Sequence, residues 1–318
     1  MPPGACGRAA GRRGKTQRVS EDPLAPHRSR LLGLAYRMLG SRADAEDVLQ
    51  DAYLRFAGAP AVRNAEAFLT TTVTRLCIDR LKSARAKREI YVGPWLPEPV
   101  LDAASLSPAA DTEVADTLSF ALLLALERLS PAERAAFLLH DVFDAPFAEI
   151  AATLQKSEPA CRQLAARARK AVREARPAAP ASPDAHARLL TAFAEAAASG
   201  DAWQLAALLR EDAVALSDGG GVKPAAFNPI HGADKVARFF VGLARKQAAR
   251  GGVLKLEPAR INGAAGFLVF LDGALDQTLS IELDGDRIAS IYCVRNPTKL
   301  ARVMAEMERK RCANDART

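Results

Sequence analysis

The chain has 318 residues, of which 49% are hydrophobic and 25% charged, a balance that predicts two or three globular domains and excludes a largely disordered chain. Its formal charge of +7 and isoelectric point near 9.3 favour a polyanionic partner. No apolar run is long enough to span a bilayer, and the scattered spacing of the five cysteines argues against a zinc site or a disulfide framework. We therefore expect a cytoplasmic protein without a metal or a cofactor.

The N-terminal part of the chain is predicted to be helical after a short basic arm. Residues 1–23 carry several basic residues but no apolar core, which is typical of a disordered arm and not of a signal peptide. The apolar periodicity of residues 24–92 predicts three helices. The third, Glu66 to Ala86, becomes strongly basic after Arg80. The second, Asp44 to Phe56, exposes a face of acids and one amide: Asp44, Glu46, Asp47, Gln50 and Asp51.

A linker and a helix-turn-helix are predicted next. Residues 93–117 begin with three prolines in six residues, at 94, 97 and 99, which no regular helix accommodates. In residues 118–176, a capping box begins one helix at Ser130, and two short helices that break at Gln155–Ser157 follow. The last helix has an apolar stripe with arginine and glutamine off it, the geometry that fits a DNA major groove. A helical hairpin with a solvated basic face is the alternative.

The last part of the chain changes character after a proline-rich hinge at 177–184. Residues 185–300 begin with helices and end with strand-like runs joined by turns such as Asp284-Gly285-Asp286. Helices followed by an antiparallel meander indicate an α+β domain. Residues 301–318 are predicted to form a C-terminal helix or tail.

Four motifs carry a resemblance to a known family. They are DAEDVLQDAYLRF at 44–56, FLTTTVTRLCIDRLKSARAKRE at 68–89, LERLSPAERAAFLLHDVF at 126–143, and the helix-turn-helix at 140–173. In this order and spacing they resemble the group IV, or extracytoplasmic-function (ECF), sigma factors of bacterial RNA polymerase. The resemblance implies a multidomain protein with two all-α sigma domains, region 2 at 24–92 and region 4 at 118–176.

A narrower resemblance covers three shorter segments. YVGPWLPEPV at 91–100, Asp218–Gly221 and Arg295–Leu300 are similar to the signatures of a subgroup whose sigma domains carry a C-terminal snoaL-like (nuclear-transport-factor-2-like) domain. It implies that residues 185–300 form an α+β, cone-shaped domain. That domain would regulate the sigma domains in cis, in place of a separate anti-sigma protein.

The resemblance also implies two partners, core RNA polymerase and promoter DNA. Polymerase would bind the acidic face of the second helix, for which a solvated face is the alternative. The −10 promoter element would be contacted by a set of region 2 residues: Arg63, Asn64, Arg75, Arg80, Lys82, Arg85 and Arg88. The −35 element would be contacted by a set of region 4 residues: Ser157, Glu158, Arg162, Gln163, Arg167, Arg169 and Lys170.

The subgroup signatures finally imply a contact between the C-terminal domain and the linker. Its residues would be Trp95, Leu96, Pro97, Asp218, Gly219, Gly220, Gly221, Asn296 and Pro297. Packing of Trp95 on its own sigma domain is the alternative. A competing hypothesis makes the last domain a cyclase or isomerase, but its candidate residues have no catalytic spacing: Asp212, Asp218, His231 and Asp272. We therefore expect no enzyme activity. Whether a small ligand binds in the pocket of the cone-shaped domain is left open.

Overall fold

The N-terminal half is all helical in the computed structural model, which describes residues 25–59, 62–89, 91–101, 106, 118–175 and 182–315. The predicted basic arm at 1–23 lies outside these ranges, as do parts of both predicted linkers. The segment that resembles sigma region 2, called region 2 below, contains α1 (Arg28–Leu39), α2 (Arg42–Ala57) and α3 (Ala65–Glu89). Region 4 contains α4 (Phe120–Glu127), α5 (Pro131–Phe137), a π-helical turn (Leu138–Val142), α6 (Phe147–Leu154) and α7 (Glu158–Ala175).

Capping residues set the helix ends in region 2. Gly40 ends α1 in the left-handed conformation, with a φ of 67°, and its N–H donates to the carbonyl four residues earlier at 2.7 Å. Ser41 then caps α2, because its hydroxyl accepts from the N–H of Asp44 at 3.2 Å. Apolar side chains on the inner face of α2, such as Val48, are buried against α1 and α3. The charged face of α2 is therefore left on the surface.

The helix-turn-helix has the local features that its sequence predicts. Ser130 and Glu133 form the capping box, with the Ser130 N–H donating to Glu133 Oε2 at 3.1 Å. The predicted helix to Phe143 departs from α-geometry after α5, since the N–H of Phe143 bonds five residues back and closes the π-helical turn. Gln155 takes a left-handed φ of 54° at the break, and the Ser157 hydroxyl accepts from the first turn of α7. The apolar stripe of α7 is buried: Cys161, Leu164, Ala168 and Val172.

Regions 2 and 4 share one hydrophobic core. Buried side chains from α1 through α7, among them Leu69 and Ile150, form a single cluster. Arg134 of α5 is 2% exposed and donates to the Met38 carbonyl at the end of α1 at 2.5 Å. The two regions are therefore packed against each other. Among the helices of the described ranges, none combines the length and the apolar run that a membrane crossing needs.

The C-terminal domain is α+β, as predicted. Its helices are α8 (Pro183–Ser199), α9 (Ala202–Ala207), α10 (Ala233–Arg250) and α11 (Pro297–Asp315). Its described strands are β1 (Leu209–Asp218), β2 (Ile230–His231), β3 (Leu254–Ile261), β4 (Ala264–Leu271), β5 (Ala274–Asp284) and β6 (Arg287–Val294). They form one sheet in the order β2-β1-β6-β5-β4-β3. The predicted antiparallel meander is β3 to β6, and β1 joins it through a parallel pair with β6.

The two faces of this sheet pack against different parts of the chain. Helices α8 to α10 cover the inner face with an apolar cluster that includes Phe193 and Phe240. The outer face packs on the linker and on α4, where the rings of Phe120 and Tyr292 stack with centroids 5.2 Å apart. Helix α11 runs across the predicted boundary at 300/301 and packs Val303 into the same outer cluster. The C-terminal domain is therefore docked on the two helical regions.

Candidate polymerase, DNA and interdomain surfaces

The acidic face of α2 is exposed along its length. The side chains of Asp44, Asp47 and Asp51 are 56%, 64% and 49% exposed, and Gln50 lies among them. Arg80 of α3 reaches this face, with its Nη1 atom 3.4 Å from carboxylate oxygens of both Asp44 and Asp47 and its Nη2 atom 3.5 Å from Asp51 Oδ2. Arg80, a sequence candidate for DNA contact, therefore faces the acidic row in this structure.

One end of the acidic face is in contact with α11. Arg302 of α11 pairs with Glu46 at 2.6 Å and with Glu98 of the linker at 3.2 Å. The other Glu98 oxygen accepts from the backbone N–H of Arg42 at 2.8 Å, at the first turn of α2. Burial raises the pKa of Glu98 in spite of these hydrogen bonds and the nearby Arg302. Glu98 therefore joins region 2, the linker and the C-terminal domain.

The DNA candidates of region 2 lie in different surroundings. Asn64 caps α3 by accepting from the Ala67 N–H at 3.0 Å and lines a cavity of about 250 Å³ between regions 2 and 4. Arg63 is exposed, and Lys82 is exposed and pairs with Asp79 at 2.9 Å. For Arg85 and Arg88 the structure describes only the helical backbone.

Arg75, the remaining candidate in region 2, bridges to region 4. Its Nε and Nη2 atoms donate to the carbonyls of Thr153 and Ala152, at 3.0 and 3.1 Å, in the last turn of α6. Those carbonyls have no helical partner, because they lie at a helix C-terminus. The arginine thus satisfies them and interacts favourably with the helix dipole.

The DNA candidates of region 4 are spread over two sides of α7. Arg162, Gln163, Arg167 and Lys170 are exposed, whereas Arg169 is half-buried and pairs with Asp141 at 2.5 Å. Several exposed members have partners within region 4: Arg162 with Glu158 at 2.6 Å, Arg167 with Glu133 at 3.1 Å, and Lys170 with Glu174 at 3.9 Å. Arg173 is also exposed, three residues beyond Lys170 and on the same side, although it was not among the sequence candidates.

The candidates for the interdomain contact meet around Asp218, which is fully buried. Its Oδ2 atom accepts from the Leu96 N–H at 2.9 Å and from Lys299 Nζ at 2.7 Å. Its Oδ1 atom accepts from the Tyr91 hydroxyl at 2.6 Å, and burial together with this hydrogen bond raises the pKa of Tyr91. Lys299 also lies over the Trp95 ring, 4.4 Å from its centroid. We call this arrangement the Asp218 clamp.

Glycines allow the close approach in the clamp. Gly220 has a φ of 65°, and a Cβ there would lie 2.5 Å from the Asn296 side-chain amide. A Cβ on Gly219 would lie 2.2 Å from the Lys223 carbonyl oxygen. Gly221 packs near the linker, and Asn296 donates to the Tyr91 hydroxyl at 2.8 Å. Pro97 is buried in the linker, and Pro297 begins α11. Trp95 contacts both sides, because its ring also packs on Gly40.

Two further interdomain contacts were missed at the sequence level. Asn262, 1% exposed, donates to the Tyr36 hydroxyl at 2.8 Å and accepts from the Val100 N–H at 3.0 Å. Glu306 of α11 accepts from the Leu101 N–H at 3.0 Å and pairs with Arg42 at 3.4 Å. The sequence predicted only a turn near Asn262 and a helix that includes Glu306. The contacts themselves could not be predicted, because the partners of both residues are distant in the chain.

The acids and the histidine of the last domain are not brought together. Asp212 pairs with Arg210, which lowers its pKa, while His231 is exposed and Asp272 accepts from the Val253 N–H. Asp218 belongs to the clamp. In the described part of the chain, no group of histidine, cysteine and acidic side chains has the spacing of a metal site. The inner face of the sheet, where the sequence left open the binding of a small ligand, is lined by apolar side chains.

Comparison with known proteins places the chain in a family. Residues 24–87 match the Sigma-70 region 2 family and residues 119–172 match Sigma-70, region 4. The chain is 38% identical to the ECF RNA polymerase sigma factor SigJ of Mycobacterium tuberculosis (strain H37Rv), over 86% of this chain and 90% of that protein. It is 33% identical to the probable ECF RNA polymerase sigma factor SigI of the same strain, over 88% and 94%. The crystal structure of SigJ matches with a TM-score of 0.68 at 36% identity, over 86% of this chain and 95% of that one. The chain therefore belongs to the ECF RNA polymerase sigma factors.

Proposed function

We propose that this sigma factor docks on core RNA polymerase through the exposed acidic face of α2. As a member of its family it is a promoter-specific transcription initiation factor and not an enzyme. The observation that carries the docking proposal is the row of exposed acids at Asp44, Asp47 and Asp51, which share Arg80 as an internal partner. The ion pairs of Arg80 with these acids support a role for Arg80 in this face and not in DNA contact. We propose the cytoplasm, where polymerase and promoters lie, as its place of action.

We propose that α7 binds the −35 element and that α3 with the preceding loop binds the −10 element. Gln163 and Arg162 are exposed near the start of α7, where they would contact base edges. Arg167 and Lys170 are exposed farther along the helix, where they would contact phosphates. Asn64 is exposed at the first turn of α3, on the region 2 side of the interface, which supports a role for that residue in holding an unstacked base once the regions separate. Lys82 is an exposed cation suited to a phosphate.

The packing of regions 2 and 4 supports the proposal that this structure is a closed state, in which the two regions cannot both reach their promoter elements. The centres of the −10 and −35 elements are about 25 base pairs apart, which is about 85 Å at ~3.4 Å per pair. Helices that share a core lie about 10 Å apart. Because α3 packs on α5 and α6, the two regions have to separate before both can reach their elements.

We propose that the C-terminal domain controls this opening in cis, in place of a separate anti-sigma protein. The linker between the regions has to extend, yet Leu96 is fully buried and Val100 is 1% exposed under the C-terminal domain. The Asp218 clamp holds the linker, and Arg302 pairs with Glu46 of the polymerase face. We take residues 24–92 and 118–176 as the sigma domains and include α11 in the C-terminal domain.

Charge reversal tests the docking proposal. Asp47→Lys with Asp51→Lys is expected to weaken holoenzyme formation by at least ~10-fold, because like charges then face the polymerase surface that the acids attract. The control is Asp184→Lys with Glu195→Lys, the same charge change at exposed positions on α8. Polymerase affinity is measured by fluorescence anisotropy. Equal affinity for the wild type and the α2 variant would reject α2 as the docking surface.

Run-off transcription tests the regulation. Full-length protein is compared with chains ending near Arg176 and near Arg295, each with core polymerase and a promoter library. We expect promoter-specific transcripts from the full chain and a change in their level upon truncation. Identical transcript levels from all three chains would contradict regulation in cis.

A further inference from the structure

We call the interface between regions 2 and 4 the seam. Arginine side chains bridge it in the same way at three places. Across it, arginines donate to backbone carbonyls at the ends of helical segments in the other region. Arg75 contacts the end of α6, Arg134 the end of α1 at Met38, and Arg30 the Phe143 carbonyl at 3.3 Å. Helix C-termini carry unsatisfied carbonyls and a partial negative charge, so each contact is favourable.

Around Arg75 the seam is closely fitted. The hydroxyl oxygens of Thr71 on α3 and Thr153 on α6 are 3.1 Å apart, and Thr153 is 5% exposed. The 250 Å³ cavity beside them is lined from region 2 by Asn64 and Thr70 and from α6 by Ile150. Helix α6 therefore lies over the part of region 2 that we assign to the −10 element.

The donor atoms of Arg75 matter here. The Nε and Nη2 atoms form the edge of a guanidinium that binds a carboxylate or a phosphate in bidentate fashion. In this structure both atoms of that edge are occupied by carbonyls of α6. A DNA phosphate and α6 would therefore use the same donors, and they cannot do so together.

We infer that α6 of the helix-turn-helix occupies the DNA surface of region 2, so that α6 and single-stranded −10 DNA compete for Arg75. This inference rests on the proposed assignment of α3 to the −10 element. Separation of the regions then lets each region reach its own element, and it also releases the Nε and Nη2 donors of Arg75. Region 4 therefore keeps Arg75 of region 2 from single-stranded DNA until the chain opens.

A reversible cross-link tests the inference. Thr71→Cys and Thr153→Cys are introduced into the full chain together with Cys6→Ser and Cys312→Ser; Cys77, Cys161 and Cys293 are buried. Because the two hydroxyl oxygens already approach each other closely, the two sulfurs can reach the ~2.05 Å of a disulfide with a small shift. Oxidation then holds α6 on α3, and reduction releases it. Circular dichroism checks that both forms are folded.

The readout is binding of a fluorescent single strand of random sequence, about 12 nucleotides long, by anisotropy. We expect the oxidised protein to bind it about 10-fold more weakly than the reduced protein, with a smaller dependence on salt. Arg75→Gln is expected to weaken binding by the reduced form and to change nothing in the oxidised form. Each single-cysteine variant, treated with the same oxidant, is the control.

The outcomes separate this inference from the proposed function. Equal binding by the oxidised and reduced forms would overturn it, as would failure of the disulfide to form. Run-off transcription by the reduced protein tests the sigma-factor assignments independently. If only the oxidised form fails to bind the strand while the reduced form transcribes, both stand.

Discussion

Two sets of contacts hold this sigma factor closed, and they differ in chemistry. Across the seam between regions 2 and 4, the donors are Arg30, Arg75 and Arg134 and the acceptors are backbone carbonyls. Between the C-terminal domain and the rest, four carboxylates accept from cationic partners: Glu46, Glu98, Asp218 and Glu306. Carbonyls carry no net charge, whereas the ion pairs of carboxylates are weakened by salt. We therefore expect salt to weaken the contacts of the C-terminal domain more than those between regions 2 and 4.

The largest effect is expected from breaking the Asp218 clamp. Asp218→Asn leaves Lys299, 12% exposed, without its buried carboxylate, and such a loss costs about 3 kcal/mol. We expect the Leu96 amide, which donates to Asp218, to exchange with solvent about 100-fold faster in native-state hydrogen exchange. Amides in the last turn of α7 should change little.

The control for the clamp is Asp284→Asn. Asp284 is 16% exposed and pairs with Arg210 inside the C-terminal domain. If both variants accelerate exchange at Leu96 equally, the clamp has no special part in holding the linker.

A smaller effect is expected from freeing the acidic face of α2. Arg302→Gln releases Glu46 and Glu98 from a pair that is 26% exposed on the arginine side, and such pairs contribute about 0.5–1 kcal/mol. We expect polymerase to bind the variant about twofold to fivefold more tightly, because α11 no longer competes for Glu46. Arg309→Gln, farther along α11, is the control. Unchanged affinity would show that α11 and polymerase do not compete.

The smallest effect is a pH dependence carried by Glu98. Burial raises its pKa in the closed state above the ordinary value of 4.5, and release of the linker would restore that value. The closed state therefore binds the proton more tightly. Its advantage over the released state is fully present below pH ~4.5 and is lost as pH rises through the raised pKa.

The measurement uses tryptophan fluorescence. Trp95 and Trp203 are the two tryptophans of the chain, and Trp203 is 89% exposed. In a Trp203→Phe background, Trp95 reports on the linker as the pH rises from ~4.5. Glu98→Gln should flatten the pH profile, whereas Glu308→Gln, an exposed acid on α11, should leave it unchanged. A profile that stays the same in Glu98→Gln would assign the pH dependence to another group.

Local features of this protein were predictable because their partners are close in sequence. The Ser130–Glu133 capping box, the helix break that begins at Gln155 and the buried stripe of α7 are each set within a few residues. The exposed acidic row on α2 follows from helical periodicity in the same way. The residues gathered around Asp218 came from the family resemblance, since nothing in their spacing brings positions 95, 218 and 299 together.

By itself, the sequence determined the helices of both sigma regions, the α+β class of the last domain and the surfaces that carry charge, because hydrophobic periodicity and capping act over short distances. Only the tertiary structure decided what those surfaces face. Arg75 and Arg80 stand five residues apart on one basic helix, yet one caps α6 and the other joins the acids of α2. Successive side chains on a helix point in different directions, and the elements that pack there choose their partners.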